Sequence, residues 1–289
     1  MKKIVRNILW PTDFSKEAKD SLLYARAFAR AFSADITALH VLPDFSLGLF
    51  EEAHPIYQEI IHRAEVLKKR ARARLERTGA ARGSAFKKVL LAEGSAAHRV
   101  LEAAEREKAD LIVMGKKGQS ALQKILIGSV TSQVLRHSPV PVLVTKRGKR
   151  LPKIKRILVP TDLSKGEELE RDVALKLAAA FGASLTFLYV LELHGQEYRA
   201  VDAMSKSVLE RFRKKAGKAG PGVRVKREVT RDFNAADGIR EYCRTHKPDL
   251  IVMATSARGL GRFLLGSTTE KVISAADTPV FALPPDFCA

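Results

Sequence analysis

The stretch ADLIVMGKKGQSALQKILIGSVTSQV, residues 109–134, contains the pattern that decides the fold. A short apolar run, LIVM, is followed by a glycine-containing segment and then by a helical pattern that opens at Gly-Ser. Continuous runs of Val, Ile and Leu are typical of strands in a parallel sheet covered on both faces. The order strand, glycine segment, helix therefore predicts part of an α/β domain, with the glycines at the carboxyl end of a strand.

The glycine segment places Gly115, Gly118 and Gly128 at the spacing G-x2-G-x9-G-S, so that Ser129 would begin the helix. Glycine permits close approach of the backbone, and a helix N-terminus offers unpaired N–H groups at a positive dipole end. Neither a Walker-type G-x4-G-K-[ST] loop nor a G-x-G-x-x-G fingerprint occurs in the sequence. The pattern favours an anion site over the alternative, an ordinary strand-to-helix loop. Positive charge is added by Lys116, Lys117 and Lys124.

The second half of the chain repeats these features. ILWPTDFS at 8–15 returns as ILVPTDLS at 157–164, and ADLIVMG at 109–115 returns as PDLIVMA at 248–254. One unit has therefore been duplicated, and each copy has the alternating strands and helices of a doubly wound α/β domain with right-handed crossovers. We predict domains at 1–146 and 153–289. The other matching pairs are IGSVTSQV with LGSTTEKV, at 127–134 and 265–272, and VPVLV with TPVFA, at 140–144 and 278–282.

Composition narrows the class of protein. Apolar residues make up 46% of the 289 residues, which is typical of a folded globular chain, and no apolar run is long enough to span a membrane. The N-terminus, MKKIVRNILWPTDF, is interpreted as the first strand of a cytoplasmic protein. Cys243 and Cys288 lack metal-ligand spacing, and the seven histidines form no H-x3-H pattern, so no metal site is expected; Cys243 is expected to pack on a helix face.

Positive charge is concentrated in part of the chain. The net charge of +19 divides into +9 for residues 1–145, +7 for 146–156 and +3 for 157–289. The middle segment, KRGKRLPKIKR, is expected to be an exposed linker. Such a field attracts phosphates on nucleotides, nucleic acids or lipid headgroups, and the alternative is a solvated basic surface without a partner.

Ligands of open α/β sheets bind beyond the carboxyl ends of the strands, where the strand order reverses. Pro11, Thr12 and Asp13 follow the first strand, and Val41 closes the second. The Asp13 carboxylate could accept hydrogen bonds from ribose or could cap a turn; because Ser15 is a competent helix cap by itself, Asp13 is expected to be freer for a ligand. Val41 would serve an adenine ring only through its backbone groups, or is simply a core valine.

Together, ILWPTDFS, ADLIVMGKKG, the glycine spacing and PVPVLV resemble the universal stress protein family, and the duplication resembles its tandem type. The resemblance implies two Rossmann-like (HUP, adenine nucleotide alpha hydrolase-like) domains. Each would have a five-stranded parallel sheet of order 3-2-1-4-5 with helices on both faces. It also implies ATP binding, with any Mg²⁺ brought by the nucleotide. The residues that it assigns to the nucleotide are Pro11, Thr12, Asp13, Val41, Met114, Gly115, Gly118, Gly128, Ser129 and Val130.

The second copy departs from this pattern. Ala254 and Ala257 replace Gly115 and Gly118, and Phe233 stands where the first copy has Gly94. Each added methyl group would lie where the backbone must approach phosphate, so the second site is expected to be degenerate, although Gly259 and Gly261 could rebuild a different loop. The corresponding residues that remain are Pro160, Thr161, Asp162, Val190, Gly266 and Ser267.

The resemblance also implies that PVPVLV and TPVFAL pair within one chain and that two chains form a homodimer. We predict an ATP-binding stress-response regulator that binds nucleotide mainly in the first domain. The alternatives are a nucleotide-independent scaffold with no ligand and, ranked lower, a nucleic-acid-binding protein that uses the linker and the helix EVLKKRARARLER. No general base, nucleophile or ligand set indicates an enzyme, and slow hydrolysis of bound ATP stays open.

Overall fold

The computed structural model describes residues 4–44, 55–81, 86–118, 127–146, 148, 151–163, 168–193, 201–215, 222–255, 265–284 and 287. Strands and helices alternate along both halves. The first half contains β1 (Asn7–Pro11), α1 (Lys16–Phe32), β2 (Asp35–Leu42), α2 (Pro55–Ala80), β3 (Lys88–Glu93), α3 (Ala96–Arg106), β4 (Leu111–Gly115), α4 (Ser129–His137) and β5 (Val142–Thr145). The second half contains β6 (Arg156–Pro160), α5 (Glu168–Phe181), β7 (Ser184–Glu192), α6 (Val201–Lys215), β8 (Val225–Asp232), α7 (Ala235–His246), β9 (Leu250–Ala254), α8 (Ser267–Ala275) and β10 (Val280–Leu283).

All ten strands form one sheet of order β3-β2-β1-β4-β5-β10-β9-β6-β7-β8. The pairs within each half are parallel, and each half has the predicted order 3-2-1-4-5. The two halves join where β5 and β10 pair antiparallel, with Leu143 opposite Phe281. The fold class and the pairing of the two copies inside one chain are therefore confirmed.

The core continues across the join between the halves. Phe28, which is fully buried on α1, lies with its ring centroid 5.0 Å from that of Phe181 on α5 and 5.9 Å from that of Phe281 on β10. On the same face, residues of both halves form a single apolar cluster, and a second such cluster covers the opposite face. Burial of apolar surface thus stabilises the two copies together, in addition to the strand pairing.

Local signals in the sequence account for the ends of the first helix. The side chain of Ser15 accepts a hydrogen bond from the amide of Ala18 at 3.1 Å, which confirms its expected role as the cap of α1. The helix ends at Ser33, which adopts the left-handed conformation. Because Ser15 fixes the start of α1, the turn between β1 and α1 is held at the edge of the sheet where β1 ends.

The connector between the copies is not simply an exposed linker. Gly148 donates through its amide to the carboxylate of Asp20 on α1 at 3.2 Å, and Ile154 is buried in the core cluster shared by both halves. Its charged residues Lys153, Lys155 and Arg156 are exposed, as expected. The prediction of an exposed linker is wrong at Ile154, because an isoleucine among lysines can pack while its neighbours remain in water.

Two expectations from composition can be compared with the described residues. Within the described ranges, no helix is both long enough and apolar enough to cross a membrane. Cys243 is buried on α7, where it packs as expected, and burial raises the pKa of its thiol to about 11. Cys288 lies outside the described residues.

Candidate functional site

The candidate site lies at the carboxyl ends of β1 and β4, which are neighbouring strands at the point where the strand order reverses. We call it the first cleft, and its polar parts are Asp13, Gly118 and the start of α4. In the second copy, the corresponding second cleft lies between the ends of β6 and β9.

The turn after β1 is held by its own side chains. Thr12 donates through its amide to Leu39 on β2 at 2.8 Å, and its hydroxyl accepts from the amide of Phe14 at 3.0 Å. Phe14 has a φ of 63°, a left-handed conformation that costs about 1–3 kcal/mol in a residue with a side chain. Such conformations cluster at functional sites, because the surrounding structure has to enforce them.

Asp13 serves this turn with one of its carboxylate oxygens. Its Oδ1 accepts a hydrogen bond from the amide of Ser15 at 2.9 Å. The expectation that the Ser15 cap would free Asp13 is therefore wrong for this oxygen, because the left-handed turn at Phe14 brings the amide of Ser15 to it. The other oxygen, Oδ2, faces Gly118, where an added Cβ atom would lie only 2.6 Å away.

Gly115, the last residue of β4, meets a packing constraint that the sequence does not reveal. A Cβ atom on Gly115 would lie 3.0 Å from the Cβ of Glu17 and 3.1 Å from its carbonyl group, closer than side chains normally pack. Gly115 therefore allows the first turn of α1 to lie against the end of β4. From the sequence, this glycine was expected to make room for phosphate. The constraint that the structure shows is the close contact between α1 and β4.

The start of α4 is held against the glycine segment. The amide of Gly128 donates to the carbonyl of Lys116 at 2.9 Å, and the hydroxyl of Thr131 donates to that of Gly115 at 3.0 Å. Gly128 caps the helix without a side chain, and the first turn, which begins at Ser129, contains no acidic residue. The positive end of the α4 dipole therefore has no charge partner within its own first turn, which suits an external anion. Residues 119–126, including Lys124, lie outside the described residues.

Lys116, one of the lysines expected at the anion site, directs its side chain away from that site. Lys116 extends into the second half and donates from its ammonium group to the carbonyl of Ser274 on α8. Burial lowers the pKa of Lys116 below its ordinary value, and the neighbouring charge of Lys117 adds to this effect. The expectation that Lys116 supplies charge to a bound phosphate is corrected, because its side chain is directed toward the other domain.

The apolar residues predicted for the nucleotide share one cluster. Met114 is buried at the end of β4, and Val41 on β2 and Val130 on α4 pack against the same cluster while remaining half-buried. Pro11, the last residue of β1, is also half-buried. The structure thus brings the predicted residues of the first copy to one end of the sheet.

Sequence analysis missed a stack of three side chains beside the first cleft. The Nδ1 atom of His40 donates to the carbonyl of Thr12 at 2.7 Å, and the His40 and Phe14 ring centroids lie 4.4 Å apart. The guanidinium carbon of Arg74 lies 4.2 Å from the centroid of the Phe14 ring. The stack ties α2 and β2 to the turn that carries Asp13. The available signal was a histidine next to Val41 at the carboxyl end of a strand.

The second cleft has the same backbone frame. Thr161 donates to Leu188 at 2.9 Å and accepts from the amide of Leu163, which is again left-handed with a φ of 58°. At the helix start, Gly266 donates to the carbonyl of Thr255, and the hydroxyl of Thr269 donates to that of Ala254 at 2.7 Å. Pro160 ends β6, and Ser267 begins α8, as the repeat predicts.

The side chains around that frame differ. The first turn of α8 contains Glu270, whose carboxylate complements the helix dipole from within the chain. Val190 lies under α7, so closely that a Cβ atom on Gly238 would be 2.6 Å from its Cγ1. Leu163, the counterpart of Phe14, packs with Val208 and Phe212, whereas Phe14 contacts a histidine and an arginine. Ala257, Gly259 and Gly261 lie outside the described residues, so the rebuilt loop stays a prediction.

Metal binding can be compared with the part of the chain that the structure describes. No group of three His, Cys, Asp or Glu side chains in it could hold a metal ion.

At the position of Gly94, which has a φ of 110°, the second copy presents Phe233 with 69% of its surface exposed.

These features define a class of protein: a duplicated, doubly wound α/β fold with its candidate site at the switch point of the first copy. The chain belongs to the universal stress protein family, whose model matches residues 5–146 and 153–284.

Individual relatives agree with this assignment. A universal stress protein of Thermus aquaticus is 37% identical over 146 residues, which are 49% of this chain and 98% of that protein. One from Methanocaldococcus jannaschii is 34% identical over 151 residues, which are 51% of this chain and 85% of the relative. The crystal structure of a universal stress protein from Archaeoglobus fulgidus is similar over 99% of this chain and 100% of its own, with a TM-score of 0.66 and 23% identity. This last likeness concerns the fold alone.

Proposed function

We propose that this chain is an ATP-binding universal stress protein that binds nucleotide in the first cleft and acts as a regulator in a stress response. The observation that carries the proposal is the convergence of Asp13 and Gly118 across the ends of β1 and β4. The Asp13 Oδ2 atom lies 2.6 Å from where a Cβ of Gly118 would be. A carboxylate thus stands beside Gly118, which has no side chain.

Each part of the first cleft suits one part of a nucleotide. The Asp13 carboxylate would accept hydrogen bonds from the ribose hydroxyls, as an acidic residue does in dinucleotide-binding folds. The backbone amides of Ser129 and Val130, at the positive end of α4, would hold phosphate oxygens. The apolar surface at Val41 and Met114 would receive the adenine ring, and Mg²⁺ would arrive with the nucleotide.

The second cleft is proposed to be degenerate. Glu270, whose carboxylate pairs with Arg136, places an acidic residue in the helix turn that phosphate would have to approach, and α7 lies over Val190, the counterpart of Val41. The proposal is one of binding without a catalytic role, and it includes a homodimer in the cytoplasm.

Titration calorimetry with ATP tests the proposal on a matched pair of variants. Asp13→Ala should weaken binding at least tenfold, about 1.4 kcal/mol, whereas Asp162→Ala, the same change in the second copy, should leave it unchanged. Asp13→Asn keeps an oxygen for the amide of Ser15, so it separates loss of ligand contact from loss of the turn. The wild-type protein failing to bind ATP at low millimolar concentration would overturn the proposal, and so would equal losses at Asp13 and Asp162.

A further inference from the structure

The main chain of Lys116 determines the spacing between the glycine segment and α4. Its carbonyl accepts from the amide of Gly128 at 2.9 Å, and its own amide donates to the carbonyl of Thr145 on β5 at 3.3 Å. Any displacement of residue 116 would therefore move the start of α4 relative to the end of β4. This residue is a point from which the geometry of the first cleft can be controlled.

The side chain of Lys116 is anchored in the second domain. Its ammonium group donates to the carbonyl of Ser274, in the last turn of α8. Carbonyl groups in a last helical turn lack an intrahelical partner, and they form the negative end of the helix dipole. The carboxylate of Asp277, just beyond the helix, adds attraction for the same ammonium group. The end of α8 is therefore well suited to hold a cation from the other domain.

A second contact joins the other end of α8 to the first domain. Arg136, in the last turn of α4, lies with Nη2 3.4 Å from the Oε2 atom of Glu270, in the first turn of α8. The helix α8 is thus tied to the first domain at both of its ends, to Lys116 at one end and to α4 at the other. The second copy has Thr255 at the position of Lys116, and threonine is too short for such a reach.

We propose that the second domain braces the first cleft: α8 holds Lys116, and through the main chain of Lys116 it holds Gly128, in the arrangement that presents the start of α4. Lys116 is a positioning residue in this proposal and does not touch the ligand. The consequence for ATP affinity rests on the proposed function, but the effect on the glycine segment does not. The second copy thereby has a role that needs no ligand of its own.

The first test uses the full chain without nucleotide. Amide hydrogen exchange is measured at Gly115, Gly118, Ser129 and Val130 in the wild type and in Lys116→Gln. We expect exchange at these amides to be several-fold faster in Lys116→Gln, and Lys116→Arg, which keeps the charge and the reach, to restore protection. Lys117→Gln, which removes the same charge one residue further on, is the control and should leave the exchange close to that of the wild type.

The second test measures ATP affinity by calorimetry. Lys116→Gln should weaken binding several-fold, and Asp277→Asn, on the far side of the contact, should weaken it less. The two changes should not add in the double variant, because they act through one contact. The changes in the free energy of ATP binding caused by Lys117→Gln and by Asp277→Asn should be additive in the double variant.

The two tests separate failure of this proposal from failure of ATP binding. If the wild type does not bind ATP, the exchange measurement alone decides the bracing. Unchanged exchange in Lys116→Gln would overturn the bracing, and so would full additivity of Lys116→Gln with Asp277→Asn in ATP binding.

Discussion

The two clefts share a frame but differ in the charges around it. In both, a threonine hydroxyl closes a left-handed turn after the first strand, and a second threonine ties the helix to the last strand residue. The first turn of α4 has no acidic residue, whereas that of α8 has Glu270. The difference teaches that hydrogen bonds to the backbone preserve the shape of the site, while a few side chains determine which ligand suits it.

The prediction with the largest expected effect tests whether the two copies unfold independently. Phe28→Ala should lower the free energy of unfolding by about 3–5 kcal/mol, because Phe28 is fully buried between α1, α5 and β10. Leu177→Ala, at the corresponding position of the second copy and equally buried, should lower it by about 2–5 kcal/mol.

The measurement is urea unfolding followed in two ways. Fluorescence of Trp10, the single tryptophan, reports the first copy, and far-ultraviolet circular dichroism reports both. We expect one transition by both probes in each variant. Two separate midpoints would break the comparison, because the copies would then be independent domains that merely touch.

The next effect sharpens the distinction between glycines of the first cleft. Gly118→Ala should reduce ATP affinity at least tenfold, about 1.4 kcal/mol, because its Cβ would collide with the Asp13 carboxylate. In Gly128→Ala the new Cβ would be 3.5 Å or more from Lys117 and Gly118, which is ordinary contact, so the affinity should fall less than in Gly118→Ala. Calorimetry with ATP distinguishes the two, and equal losses would contradict a steric role confined to Gly118.

The smallest effect exchanges one residue between the copies. His40→Tyr gives the first copy the residue that the second has at position 189, and it removes the hydrogen bond to the Thr12 carbonyl. We expect a loss of about 0.5–1.5 kcal/mol in ATP binding, the usual net value of such a bond. Tyr189→His should not change ATP binding, and a gain there would show that the second cleft is not degenerate.

Local patterns predicted most of the fold. Ser15, predicted to be a helix cap, caps α1, and Val41, predicted to close the second strand, lies at the end of β2. The contacts that sequence reasoning did not anticipate join distant segments. Gly115 is constrained by Glu17, and Lys116 reaches Ser274 across the join. Neither partner can be read from spacing, because each contact exists only after the sheet has formed.

The stack beside the first cleft illustrates the same limit. His40, Phe14 and Arg74 come from β2, a turn and α2, and only the folded chain brings them together. The duplicated motifs, by contrast, predicted a doubly wound α/β domain in each half, because each repeat carries its own strand and helix signals. The family resemblance that these motifs carry implied the strand order within each half and the β5–β10 pairing, and both are observed.

The antiparallel pairing of β5 with β10 also changes how the assembly depends on concentration. Two separate domains that met through this contact would associate by mass action and would dissociate on dilution. Within one chain the pairing is intramolecular, so its extent is the same at every protein concentration. A symmetric pair of identical subunits must also make every contact twice. The duplicated chain is free of that rule, which allows a one-sided contact such as that of Lys116 with α8 to arise.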